Sequence, residues 1–141
     1  MQLENKPPKP RILVADDDAV TRSLICSTAR SEGYEVVVAE DGREALRTLD
    51  TDSNFKGAIV DTMLPHIEGI DVVRHMKTEK RFMRIPVLMT TSERDIQLVG
   101  KTLAAGAMLF LPKPFSHMQL KSMLKMLVSQ SVDHNLPAYS S

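Results

Sequence analysis

Where the apolar runs of this chain end, polar residues of a few matching kinds appear. The run Arg11–Ala15 (RILVA) is followed by three carboxylates, Asp16, Asp17 and Asp18. The run Ala58–Val60 ends on Asp61, inside the stretch KGAIVDTMLPHIEG. PVLMTT closes on the hydroxyls of Thr90 and Thr91 with Ser92 beyond, and MLFL is followed by Pro112-Lys113-Pro114-Phe115. Carboxylates converging on one mouth repel each other, and at least one resists ionisation unless a cation intervenes. Hard oxygen ligands from few side chains suit Mg2+, which keeps several of its waters. Asp16 and Asp17 are the metal candidates, while Asp18 is better placed to cap a following helix. A lysine held in a rigid turn by two prolines and facing an acidic, metal-bearing mouth suits an anion. A threonine hydroxyl there can hydrogen-bond a phosphoryl oxygen, and Ser92 is the better helix cap. Carboxylate, metal, lysine and hydroxyl around one point suit phosphoryl transfer, with a carboxylate as a feasible nucleophile. Metal and lysine would neutralise charge on the transferred oxygens.

For those groups to meet, the apolar runs must be neighbouring strands. Short continuous apolar runs read as strands buried on both faces of a parallel sheet. The expected strands are Arg11–Ala15, Tyr34–Ala39, the run ending at Asp61, Pro86–Thr91 and Met108–Leu111. Helical patterns fill the gaps: Ala19–Glu32, a helix capped by Asp41 with Glu44 three residues on, Gly69–Thr78, Ser92–Ala105, and a last helix opened by Ser116 and Gln119. Gly33 sits where a left-handed helix cap belongs, Asp50–Phe55 reads as a polar loop, and Pro112 points to a sheet edge. Strands alternating with helices specify an α/β fold: a doubly wound five-stranded parallel sheet, flavodoxin-like, order 2-1-3-4-5, with helices on both faces. That order puts its switch point between the first and third strands, where Asp16, Asp17 and Asp61 lie.

Residues 1–10 carry three prolines and read as a flexible arm, residues 11–128 as the folded domain, and residues 129–141 as a polar tail. Lysines plus arginines equal aspartates plus glutamates at 18 each, so global charge gives no argument for nucleic acid or an acidic membrane. No apolar stretch approaches the ~18 residues of a membrane span, and the polar N-terminus lacks a signal region, so a cytoplasmic location is expected. The single cysteine, Cys26, excludes an internal disulfide and is expected near the outer side of the first helix. The basic run Arg74, His75, Lys77, Lys80, Arg81 and Arg84 is expected to be a solvated face.

Taken together, Asp16-Asp17, Asp61-x-x-x-Pro65-x-x-x-Gly69, Thr91 after PVLMT, and Lys113-Pro114-Phe115 make the chain resemble the receiver domain of two-component response regulators, over roughly Arg11 to Val128. The resemblance implies a phosphorylation-dependent signalling switch. Asp61 would accept a phosphoryl group from a histidine kinase or histidine phosphotransfer protein. Asp17, Asp61 and the main-chain carbonyl of Met63 would bind Mg2+ directly, and Asp16 through water. Thr91 and Lys113 would contact the phosphoryl group, the Lys113–Pro114 bond would be cis, and Phe110 would swing inward on activation. Met63 and Glu93, two residues beyond Asp61 and Thr91, are best placed to tune phosphoryl lifetime. Output is expected from protein contacts through helix 4, strand 5 and helix 5, with Val99, Lys101, Met118, Lys121 and Lys125 as candidates. Such a protein is a phospho-acceptor regulator, catalysing only its own phosphorylation and dephosphorylation. The family often has Met where Leu64 stands and Asp or Asn where Glu68 stands, and Phe110 lacks a tyrosine hydroxyl.

Three other readings compete. Asp16-Asp17-Asp18-Ala19-Val20 fits the D-x-D-x-[TV] motif of haloacid-dehalogenase-type phosphatases, with Asp16 as nucleophile. That family also needs an acidic pair after its lysine and an insertion after the first strand. A receiver-like module that only binds partners would not need the complete set of acids, lysine and hydroxyl. The length leaves a single-domain regulator resembling chemotaxis regulators, or a receiver fragment of a larger response regulator or hybrid kinase.

Overall fold

Continuous apolar runs demand a sheet covered on both sides, and the computed structural model, which describes residues 8–92 and 96–130, has one. Its strands are β1 (Arg11–Ala15), β2 (Glu35–Ala39), β3 (Gly57–Asp61), β4 (Val87–Thr91) and β5 (Leu109–Pro112), all parallel, in the order β2-β1-β3-β4-β5. β3 is central and every one of its residues is buried, which is why its sequence shows no polar alternation. The helices are α1 (Ala19–Ser31), α2 (Gly42–Thr51), α3 (Gly69–Thr78), α4 (Ile96–Ala105) and α5 (His117–Ser129). Alternate strand residues divide between two cores. Leu13, Val60 and Met89 pack with α2, α3 and α4, while Val14, Ile59 and Leu88 pack with α1 and α5.

Local chemistry sets the helix ends. The Asp18 carboxylate accepts from Thr21 N at 3.2 Å, and Asp41 accepts from Glu44 N at 2.7 Å. Glu44 reaches back to Glu40 N at 2.6 Å, one residue before the cap. Ser116 and Gln119 form both bonds of a capping box. Gly33 has φ 94°, the left-handed cap conformation that glycine adopts without a Cβ penalty. β5 pairs only with β4 and is a sheet edge. Lys113 N donates inward to Thr91 O at 2.7 Å, so the preceding main-chain nitrogen, that of Pro112, faces outward, where no donor is needed.

Several expectations are corrected. α2 continues to Thr51, so the loop before β3 is shorter than the polar sequence suggests; Phe55 in it is buried, under the Arg11 guanidinium at 4.5 Å. β2 starts at Glu35, and β5 runs one residue later than expected and includes Pro112. Cys26 is buried, not outward, and burial pushes its thiol pKa up. Lys77 is not part of a solvated face. Its stem passes Gly106 and its Nζ donates to Met83 O and Ile85 O, each at 3.1 Å, and desolvation lowers its pKa.

Gly69 opens α3 against the end of β3. A Cβ there would come within 1.9 Å of Asp61 O, a backbone atom that cannot yield cheaply. Gly69→Ala is therefore expected to cost on the order of 3 kcal/mol in urea unfolding. The control is Gly100→Ala, in α4 with nothing within 4 Å of an added Cβ, which should gain roughly 0.5–1 kcal/mol. Equal stability of Gly69→Ala and the parent would show that the segment beyond Asp61 is free to shift.

Candidate functional site

The parallel register sets Ala15 beside Val60, so the next residues, Asp16 and Asp61, emerge side by side at the strand ends. Asp16 is 1% and Asp61 5% exposed, whereas Asp17 is exposed at the mouth. Oxygens from Asp16, Asp17 and Asp61 lie within 4.8 Å of one another. Lys113 leaves β5 and crosses the end of β4. Its Nζ lies 2.8 Å from Asp61 Oδ2 and 3.2 Å from Asp16 Oδ2, and its side chain is 14% exposed. The Lys113–Pro114 bond is cis. Asp61 Oδ1 accepts from Met63 N at 3.1 Å, and Asp16 Oδ1 accepts from Asp18 N at 2.8 Å.

The electrostatics follow. Two carboxylates at about 5 Å repel by roughly 3–4 kcal/mol at an effective dielectric of 20. Burial pushes the Asp16 pKa up and the charge of Asp61 adds to this, against the Asp18 N–H and Lys113, which pull it down. Burial alone would lower the Lys113 pKa, but its hydrogen bond to Asp61 and the charges of Asp61 and Asp16 outweigh that and hold it above the usual lysine value. Asp16 Oδ2 meets Lys113 as a charge contact at 3.2 Å and has no hydrogen-bond partner among the described residues. Three carboxylates with an unsatisfied oxygen among them fit a hard divalent cation such as Mg2+.

The structure thus gathers Asp16, Asp17, Asp61 and Lys113 at one point. Met63 stands beside them, 52% exposed, with its N–H on Asp61. Thr91 is fully buried and pairs with Pro112, while Met89 pairs with Phe110. Thr91 and Phe110 therefore share one face, two register pairs apart, and the half-buried Phe110 packs on the core under α2, α3 and α4. Glu93 lies outside the described residues. Thr90, which the sequence offers beside Thr91 with motif register favouring Thr91, is the direct partner of Asp61 and belongs to the opposite face from Thr91. The two-residue alternation of strands was the signal for it. A cleft of about 460 Å³ opens beside the carboxylates, walled by Val20, Thr21, Leu24 and Phe115 with Lys113 at its edge.

The model of the response regulator receiver domain matches residues 12–125. The chain belongs to that family. This receiver domain is 35% identical over 119 residues to the chemotaxis protein CheY1 of Helicobacter pylori, covering 84% of this chain and 96% of the relative. Among solved structures it is similar to the chemotaxis response regulator CheY4 of Vibrio cholerae, with TM-score 0.78 and 30% identity over 85% of this chain and 99% of that one. It is also similar to the receiver domain of the sensor histidine kinase PA1611 from Pseudomonas aeruginosa, with TM-score 0.78 and 25% identity, covering 86% of this chain and 99% of that one; that structure holds a magnesium ion in its active-site cleft. As a receiver domain the protein is a phosphorelay signalling component. The insertion required of a haloacid-dehalogenase-type phosphatase does not fit, since α1 begins at Ala19, directly after the Asp16–Asp18 turn.

Because the folded-state pKa of Asp16 lies above its ordinary value of 3.8, the metal-free fold binds this proton more tightly than the unfolded chain. The stability associated with it is present below 3.8 and lost as pH rises through the raised value. Asp16→Asn should thus be more stable than the parent at pH 7 in a chelator, with the gain vanishing at low pH. Urea midpoints across a pH series test this; a less stable Asp16→Asn at pH 7 would reverse the sign.

Proposed function

We propose that Asp61 is the phospho-acceptor of this receiver domain and takes its phosphoryl group from a histidine kinase or histidine phosphotransfer protein. The observation that carries the reading is the seating of the Asp61 carboxylate: one oxygen on Lys113, the other on Met63 N, with Asp16 and Asp17 close by. As an Asp61 oxygen bonds to phosphorus, the P–N bond to the donor imidazole breaks. Lys113 follows the charge onto the transferred oxygens, and the Thr91 hydroxyl hydrogen-bonds one of them. Mg2+, held by Asp17, Asp61 and the Met63 carbonyl directly and by Asp16 through water, would supply further charge neutralisation. Met63 and Glu93 tune phosphoryl lifetime by steering or blocking the incoming water. The protein turns over no external substrate.

Drawing the Thr91 hydroxyl toward the phosphoryl group vacates space that Phe110 fills from the same face of the sheet. A hydrogen bond to a charged group is worth roughly 1.5–3 kcal/mol, about a 10- to 100-fold shift between two states. Output then passes through α4, β5 and α5 to a downstream protein, not to nucleic acid. Val99, Lys101, Met118 and Lys125 belong to that surface. Exposed Leu103, Met108 and Met126 extend it, while Lys121 leans instead toward Glu32 on α1, 3.6 Å away. The functional unit is residues 11–128, flanked by residues 1–10 and 129–141, and its place is the cytoplasm. No helix among the described residues is long and apolar enough to cross a membrane.

With Mg2+ and acetyl phosphate, intact-mass analysis should find one phosphoryl group on the parent and none on Asp61→Asn, since an amide is no nucleophile. Full labelling of Asp61→Asn would move the acceptor to Asp16. Calorimetric Mg2+ titration should show a sharp loss of affinity in Asp17→Ala and a smaller one in Asp16→Ala. Equal losses would mean that the direct and water-mediated ligands are wrongly assigned.

A further inference from the structure

Two buried hydroxyls beside Asp61 have no hydrogen-bond partner among the described residues, Thr90 Oγ1 and Thr62 Oγ1. Thr90 is the more tightly placed: it is 0% exposed and lies in β4 directly opposite Asp61. Asp61 follows Ile59 by two residues and Thr90 follows Leu88 by two, so both continue the sheet face that α1 and α5 cover. Neighbouring strands lie about 4.8 Å apart, which puts the two side chains next to each other. Lys113 continues the same face, two residues beyond Leu111, the β5 partner of Thr90. At rest both Asp61 oxygens are occupied, by Met63 N and by Lys113, and Thr90 is left over. A buried hydroxyl without a partner weakens a fold, and an apolar residue of the same shape would remove the deficit.

We propose that Thr90 is a further residue of the site, donating to the Asp61 carboxyl oxygen that Lys113 vacates when the acceptor is loaded. This rests on the reading of Asp61 as phospho-acceptor. Esterification removes the charge from the carboxyl group and concentrates it on the phosphoryl oxygens, and the ammonium follows. The oxygen it leaves is buried and has lost its charged donor, and Thr90 carries the hydroxyl on the neighbouring strand beside it. One movement satisfies both groups. In phosphate loss, a water oxygen bonds to phosphorus and the bond from phosphorus to Asp61 breaks. The electron pair returns to Asp61 as carboxylate, and the water's protons leave with the phosphate and solvent. Negative charge therefore grows on Asp61 as the bond breaks, and a hydrogen bond to an oxygen gaining charge strengthens in the transition state. Thr90 thus shortens the phosphoryl lifetime, while its neighbour Thr91, on the other face, reads the phosphoryl group.

The test loads the full chain with acetyl phosphate and Mg2+, removes the donor, and follows phosphate loss by intact mass. Thr90→Val should lengthen the lifetime about 5- to 10-fold, the scale of one hydrogen bond strengthening in a transition state, with an unfolding midpoint equal to or above the parent's. Thr90→Ser, which restores the hydroxyl, should stay within about twofold of the parent, and Thr90→Ala serves in place of the valine variant should that one not fold. An unchanged lifetime in Thr90→Val, or in Thr90→Ala where it stands in, overturns the assignment, as does a Thr90→Ser lifetime as long as that of the hydroxyl-free variant. A parent chain that takes no label on Asp61 overturns the phospho-acceptor reading with it. A labelled parent whose lifetime ignores the hydroxyl overturns the Thr90 assignment alone.

Discussion

Two like charges buried side by side are the constraint on which the rest of the site depends. Asp16 and Asp61 emerge from neighbouring strands with almost no exposure, and nothing in an apolar core would tolerate them unaided. The fold answers with directed partners. Main-chain N–H groups of Asp18 and Met63 take one oxygen of each carboxylate. The ammonium of Lys113 comes from two strands away to sit between the other two. It can do so only because β5 ends beside β4 in register, with Lys113 N bonded to Thr91 O. The raised pKa of Asp16 shows that this compensation is incomplete, as expected of a site arranged for chemistry rather than stability.

The same sheet separates the proposed acceptor site from the proposed switch residues. Asp61, Thr90 and Lys113 continue the face covered by α1 and α5, while Thr91 and Phe110 belong to the face covered by α2, α3 and α4. Strand β4 sets Thr90 and Thr91 on opposite faces, since adjacent side chains alternate.

Much of this was legible in the sequence because it was written in local patterns. Unbroken apolar runs gave the strands, their polar terminators gave the mouth, and Asp18, Asp41 and Ser116 announced the helix starts. What stayed hidden depended on tertiary context. Cys26 looks outward on α1 by spacing, yet it is buried in the folded chain. Lys77 reads as surface charge, yet an aliphatic stem beside Gly106 and two carbonyl acceptors hold it in. Lys121 turns toward α1 because Glu32 waits there. Thr90 was overshadowed by Thr91, since motif register points to the second threonine and only the strand pairing places the first against Asp61.

The outward-facing nitrogen of Pro112 bears on how other proteins can approach. An edge strand normally offers its main chain as a template for one more strand. β5 is four residues long and lacks an outward donor at Pro112. An incoming strand would find too short a ladder to extend the sheet. The surface between α4 and α5 can therefore expose Leu103, Met108 and Met126 without inviting edge-to-edge growth. A partner docking there, as proposed, would read side chains, and the flexible thioethers of Met108 and Met126 can mould themselves to more than one shape.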